Sequence, residues 1–437
     1  MKSWIRENNG IMEYLPILLV FVLYFSSIPI AYALFGASIF YFTFFDAGMP
    51  PDLVLQKFIT ATASFPLLAI PFFVMAGSVM NYSGISTKLM QMADVLTGHM
   101  VGGLAQVNVV LSTMMGGVSG SANADAAMQS KILVPQMEER GYSRAFSAAI
   151  TAASSAISPV IPPGITMIIY ALIAQVSVGK MFAAGYVPGI IMAGSLMFTV
   201  SLIAKKRGYK PSREARANRR EVGLQFLDSL WSLSLPFGII LGLRFGLFTP
   251  TEAGAMAVLA STIIGVFIYK ELKLEHIKPI LKDTIYGTGT VVLIIVAASV
   301  FGYYLNWERI PQLLTEQLLL LTQNKWAMLA ILNAFLLFIG MFLEGGAALI
   351  IVAPLLVPVV VTLGVDPVHF GMIIIVNIML GGVTPPFGSM MFTTCSVTKV
   401  PVGDFVKEVW PFILALLFAL LVVTYFPSLV MFFPNLM

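Results

Sequence analysis

"GGVTPPFG", residues Gly381 to Gly388, interrupts a stretch from Phe370 to Thr398 that carries no Asp, Glu, Lys or Arg. An uncharged run of this length suits a helix across a bilayer, which needs about 20 apolar residues. Two glycines and two prolines at its centre break that helix, because proline has no N–H and clashes with the preceding turn. Carbonyls freed in hydrocarbon need a substitute partner. A second interruption, "SPVIPPG" (Ser158 to Gly164), lies in the uncharged stretch from Ala145 to Gly179, and Pro162 and Pro385 are 223 positions apart. The same offset of 223 pairs Pro135 with Pro358, Gly141 with Gly364 and Pro163 with Pro386. The chain therefore reads as two copies of one unit, the internal symmetry common in transporters.

Composition sets the class. Of 437 residues, 58% are hydrophobic and 11% charged, whereas a soluble domain carries about 25% charged residues. Mean hydropathy is +0.91. This is the profile of a polytopic membrane protein. The net charge of +4 comes from basic residues in short loops, which excludes nucleic acid as a partner and points to topology signals. The single cysteine, Cys395, has no CxxC partner or histidine neighbour, so it reads as apolar filler. The only Gly-Lys pair, Gly179-Lys180, is followed by Met181, so no ATP-binding phosphate loop is present. No Ser-His-Asp or Ser-Lys set can be drawn at one membrane level, and an enzyme is not expected. The apolar run from Tyr14, preceded by Lys2 and Arg6, is read as a first transmembrane helix and not as a cleaved signal.

Orientation follows from Lys and Arg. The connector "KKRGYKPSREARANRR" (Lys205 to Arg220) holds eight basic residues and one acid, which assigns it to the cytoplasm. Counting spans from there puts both ends of the first hairpin region inside and both ends of the second outside, so the two halves form an inverted repeat. By the same symmetry the N-terminus is expected on the periplasmic side, although Lys2 and Arg6 argue the other way. Each half also carries an amphipathic segment, "STKLMQMADVLTGHM" (Ser86 to Met100) and "RIPQLLTEQLLLLTQ" (Arg309 to Gln323), as a surface-lying helix requires.

Between each amphipathic segment and each diproline lies a glycine-rich stretch, "GGVSGSANADA" (Gly116 to Ala126) and "LEGGAALI" (Leu343 to Ile350). Non-helical backbone at membrane depth is tolerated where it packs in protein or lines a wet cavity. Helix ends there present carbonyls suited to Na⁺ and N–H groups suited to carboxylates. On that logic Gly381, Gly382 and the Thr384 hydroxyl offer a cation site, with Ser158, Pro159 and Ile161 as their counterparts. The competing readings are close packing through glycine and a ligand-free proline kink. Asp125 and Glu344 are the acids within these uncharged stretches. Each is either functional, as intramembrane carboxylates tend to be, or a brace for its hairpin.

These hairpin and diproline motifs resemble, over nearly the whole chain, the large membrane subunit of tripartite ATP-independent periplasmic (TRAP) transporters. The resemblance implies an all-α polytopic protein with the inverted-repeat fold of the ion-transporter superfamily, with two re-entrant helical hairpins, working as an elevator. It implies scaffold helices at 1–85 and 222–308, amphipathic arms at 86–100 and 309–325, moving units at 101–204 and 326–437, and a cytoplasmic connector at 205–221. It further implies a multi-pass protein of the bacterial inner membrane that imports an organic acid with Na⁺. The implied partners are a periplasmic solute-binding protein, a small four-helix membrane subunit on a separate chain, and membrane lipids. One sodium site falls on Ser119, Gly120, Ser121, Asn123 and Ser158, and another on Glu344, Gly345, Gly346 and Thr384. The family often has Ser or Thr where this chain has Gly345-Gly346, so the second site leans on main-chain oxygens. The substrate pocket falls near Asn123, Asp125, Pro163, Pro386 and Ser389. A stand-alone Na⁺-coupled dicarboxylate symporter or a Na⁺/H⁺ antiporter of the same superfamily remains the alternative.

Overall fold

The computed structural model describes residues 14–44, 51–62 and 65–437, apart from the side chains of 51–55, 65–66 and 118–119. Lys2 and Arg6 lie outside the described residues. All regular elements among the described residues are helices, and seven of these are long and apolar enough to cross a membrane.

The first half runs α1 (Leu15–Phe25), α2 (Ile30–Phe44), α3 (Pro51–Thr62), α4 (Ala69–Tyr82) and α5 (Ile85–Thr97). It continues with α6 (Gly103–Ser119), α7 (Ala122–Glu139), α8 (Arg144–Ser155), α9 (Ile165–Ala174) and α10 (Val178–Arg207). The second half runs α11 (Arg219–Arg244), α12 (Pro250–Ile263), α13 (Ile277–Trp307), α14 (Ile310–Leu321) and α15 (Lys325–Phe342). It ends with α16 (Gly345–Thr362), α17 (Pro367–Gly381), α18 (Ser389–Thr398) and α19 (Val402–Tyr425). Shifting α7 by the 223-residue offset reproduces the limits of α16, and shifting α8 starts α17 at the same point. The amphipathic segments are the short helices α5 and α14. The diprolines separate α8 from α9 and α17 from α18, and the Pro162–Pro163 and Pro385–Pro386 bonds are both cis.

Four contacts fix the relative direction of the halves. Past the end of α7, Tyr142 donates to Lys210 O at 3.1 Å and Arg140 to Ser212 O at 2.8 Å, so the base of the α6–α7 hairpin lies at the basic connector. The span α8–α9 starts at that same base and ends beyond Tyr170, whose hydroxyl donates to Pro367 O at 2.6 Å. The start of α17, and with it the base of the α15–α16 hairpin, is therefore at the opposite end of the molecule. Arg207 pairs with Glu408 at 2.8 Å, which returns the start of α19 to the basic side. The equivalent hairpins thus point in opposite directions, as an inverted repeat demands.

One expectation is corrected here. The apolar run from Tyr14 is not a single spanning helix, because α1 ends at Phe25 and α2 begins at Ile30. Pro29 has no N–H to continue the ladder, Ser27 sits at a φ of 67°, and the Ser26 hydroxyl turns back onto Val22 O at 2.7 Å. Those three residues close the helix locally. The end of α2 packs beside the end of α13, with the Tyr41 and Tyr304 rings 4.7 Å apart.

Each hairpin is bound to its neighbouring broken span by buried amides. Asn108 donates to Thr151 at 2.7 Å and accepts from Ser154 at 2.8 Å, while Asn377 donates to Asn333 at 2.7 Å and Asn333 to Thr424 at 2.9 Å. In an apolar interior such groups have no water to fall back on, so each needs its protein partner. His369 is likewise buried, and its Nε2 lies 2.8 Å from Val423 O.

Candidate functional site

The hairpin tips are built by local chemistry. Gly120 ends α6 at a φ of 57°, in the left-handed region open to glycine, and the Ser121 hydroxyl then accepts from the Ala124 N–H at 3.4 Å to start α7. The second tip is equally short, with Leu343 and Glu344 between α15 and α16 as Gly120 and Ser121 are between α6 and α7. Both tips come to one cavity of about 570 Å³, which Gly120 through Ala124 and Glu344 through Gly346 line together. Pro159, Thr166, Gly382 and Ser389, from or beside the two unwound stretches, complete its floor.

The opposite wall was not legible in the sequence. Ser78 and Asn81 on α4 and Asp283, Tyr286 and Thr290 on α13 face the tips across the cavity. Asn81 and Asp283 lie near the connector ends of their helices, so the cavity extends toward the basic side. Ser78 and Asp283 are joined at 3.4 Å, which ties the two helices of that wall together. A polar residue within an otherwise apolar helix was the available signal.

The expected site residues divide into two groups. Gly120, Ser121, Asn123 and Pro159 of the first sodium set line the cavity, as do Glu344, Gly345, Gly346 and Gly382 of the second. Asn123 Oδ1 is buried and makes no hydrogen bond among the described residues. The Ser119 side chain lies outside the described residues. Thr384 is buried, and its hydroxyl proton is spent on Leu380 O at 2.7 Å, which leaves its lone pairs for other partners. Oxygen ligands of this kind, carbonyl and hydroxyl, are those a hard cation selects.

Ser158, Ile161 and Gly381 do not line the cavity. Ser158 donates to Asp125 Oδ2 at 2.7 Å, and its hydroxyl lies 3.2 Å from Ser112 O. A Cβ on Gly116 would come within 2.4 Å of Ile161 Cβ, and one on Gly381 within 2.4 Å of the Gly340 carbonyl carbon. The glycines next to the broken spans therefore work in part as close-approach surfaces. Among the expected substrate residues, Asn123 and Ser389 line the cavity, whereas Asp125, Pro163 and Pro386 do not. Asp125 is turned inward, where Gln129 donates to Oδ1 at 2.8 Å and Ser158 to Oδ2. Gln129 also reaches Ser112 at 2.8 Å, so this carboxylate braces both arms of the first hairpin against the unwound stretch. The diprolines shape the backbone behind the cavity wall.

Comparison with known proteins agrees with this architecture. The family described as "Tripartite ATP-independent periplasmic transporter, DctM component" matches residues 17–429. The chain is 39% identical to the uncharacterized protein YgiK of Salmonella typhimurium, over 97% of this chain and 98% of that one. It is 35% identical to the sialic acid TRAP transporter large permease protein SiaM of Vibrio cholerae, covering 95% and 96%. With the C4-dicarboxylate TRAP transporter large permease protein DctM of Rhodobacter capsulatus it shares 34% identity, covering 96% and 98%. In fold it is similar to the crystal structure of the Alcanivorax borkumensis YdaH transporter, with a TM-score of 0.64 at 14% identity over 86% of this chain and 87% of that one. SiaM and DctM are named as transporter permease proteins, not enzymes. The chain belongs to the DctM component family of tripartite ATP-independent periplasmic transporters.

Proposed function

We propose that this chain is the membrane carrier of a Na⁺-driven importer of an organic acid in the bacterial inner membrane. The acid is of the class named for its relatives, a C4-dicarboxylate or a sialic acid. A periplasmic binding protein delivers the substrate, and a small four-helix subunit steadies the scaffold. Residues 101–204 and 326–437 move as the elevator against the scaffold at 1–85 and 222–308, with arms at 86–100 and 309–325. The connector at 205–221 stays on the cytoplasmic face, which the cavity faces in the arrangement described.

The observation that carries this reading is the cavity itself, where two oppositely directed hairpin tips and two unwound stretches meet a wall made by other helices. Helix ends at membrane depth supply unpaired carbonyls for a cation and N–H groups for a carboxylate. One sodium ion is held by the first hairpin tip, with Asn123 as a side-chain ligand. A second is held by Glu344, Gly345 and Gly346 with Gly382 and Thr384. The carboxylate lies between them, near Asn123 and Ser389.

Uptake in proteoliposomes tests it. Accumulation of the acid is expected only with an inward Na⁺ gradient, the small subunit and the binding protein together. Uptake of free substrate by this chain alone would support a stand-alone symporter instead. Accumulation with no dependence on Na⁺ would remove the ion from the mechanism.

A further inference from the structure

The break that ends α1 places it against the second hairpin. The Tyr24 hydroxyl donates to Phe342 O at 3.3 Å. Phe342 is the last residue of α15, so its carbonyl is among those a helix end leaves without an intrahelical N–H. The next residue of α1, Phe25, meets the Phe342 ring edge-on with centroids 6.3 Å apart. Phe342 in turn lies 5.4 Å from Phe387, within the second unwound stretch. A single path therefore runs from α1 through the hairpin tip to the backbone that follows Pro385-Pro386.

Among the described residues, no equivalent hydroxyl-to-carbonyl bond from the matching position holds the first hairpin. The position 223 residues beyond Tyr24 is Leu247, which is 68% exposed. The first hairpin instead meets α11 through an apolar contact, where a Cβ on Gly117 would come within 2.7 Å of Pro236 Cβ. Among the described residues, the repeat thus shows a hydrogen-bonded restraint from α1 at one tip and a close glycine–proline contact from α11 at the other.

We infer that Tyr24 is a positioning residue for the second cation site: its hydroxyl and the Phe25–Phe342–Phe387 rings hold the Leu343–Glu344 tip in its ligand-ready shape. The inference rests on the proposed sodium reading of that tip. Only two residues link α15 to α16, so fixing the carbonyl that precedes them limits how far the Glu344, Gly345 and Gly346 oxygens wander. Ordering those oxygens in advance spares the ion part of the cost of ordering them on binding.

The test uses the complex with its small subunit and binding protein. Tyr24→Phe keeps the ring and removes the donor. It is expected to raise the Na⁺ concentration for half-maximal uptake about two- to tenfold, the worth of one hydrogen bond, while maximal rate and complex yield stay unchanged. Thermal stabilisation of the purified complex by Na⁺ is expected to need the same higher concentration, since binding shifts stability by mass action. A fall in maximal rate or melting temperature with an unchanged Na⁺ requirement would mark Tyr24 as structural only and overturn the inference. A Na⁺-responsive wild type with an unaltered Tyr24→Phe variant overturns the Tyr24 assignment alone. A wild type that does not respond to Na⁺ overturns the ion reading, and this inference with it.

Discussion

Ser158 donates a 2.7 Å hydrogen bond to Asp125, joining the first unwound stretch to the second arm of the first hairpin inside an otherwise apolar interior. The counterparts 223 residues on are Gly381 and Ala348, and there Gly381 meets the first arm of its hairpin instead, by glycine contact with Gly340 of α15. The same mechanical task is done by hydrogen bonds in one half and by surface fit in the other.

Asp125→Ala is expected to destabilise the protein by about 1–3 kcal/mol for each group it orphans, here Ser158 and Gln129. Asp125→Asn, which still accepts a hydrogen bond, is expected to cost less. Melting temperatures of the two purified variants in one detergent check the order. Equal losses would contradict the bracing role.

Gly381→Ala places a methyl group 2.4 Å from the backbone of Gly340, where no flexible side chain can give way. Overpacking of this kind costs about 1–3 kcal/mol, so reduced yield and a lower melting temperature are expected. Gly403→Ala is the control, because a Cβ there meets nothing within 4 Å.

For the ion site, Thr384→Ala and Asn123→Ala are each expected to raise the Na⁺ concentration giving half-maximal uptake. The Asn123 change should act through its buried Oδ1, which makes no hydrogen bond among the described residues, on a residue that lines the cavity. Uptake titrated with Na⁺ at saturating substrate provides the readout, and identical curves for all three proteins would exclude both residues as ligands.

Asn333 and Asn377 form a buried pair at 2.7 Å, linked onward to Thr424. Replacing either by Leu is expected to cost about 0.6–1.7 kcal/mol, the range for hydrogen bonds between membrane helices. The double replacement should cost less than the two single changes added, because the bond is lost only once. Strict additivity would show that the pair is not coupled.

Much of this molecule is legible in the linear order of residues. The spacing from Pro162 to Pro385 located both unwound stretches, and the same offset predicted a second hairpin wherever the first was found. The count of spans from the basic connector predicted oppositely directed hairpins, and the contacts at Lys210, Ser212 and Pro367 show them so. By contrast, α1 was misread, because one proline and two serines within a long apolar run are a weak stop signal until α15 is present to receive the end of the helix. Asp125 was grouped with the substrate residues because an acid in an uncharged stretch looks functional, and nothing in the string shows that Ser158 and Gln129 reach it. The α4 and α13 wall was missed for a related reason. Ser78, Asn81 and Asp283 are ordinary residues in sequence and gain meaning from what they face.

The sequence by itself determined that the chain is helical, that its two diproline spans must break and that its two halves are copies, since these follow from local backbone chemistry and from periodicity. Only the tertiary structure decided which polar groups face the cavity and which are spent on one another. That choice depends on segments distant in the chain, such as Ser158 beside Asp125 or Tyr24 beside Phe342, whose side chains compete for partners only once the helices are packed.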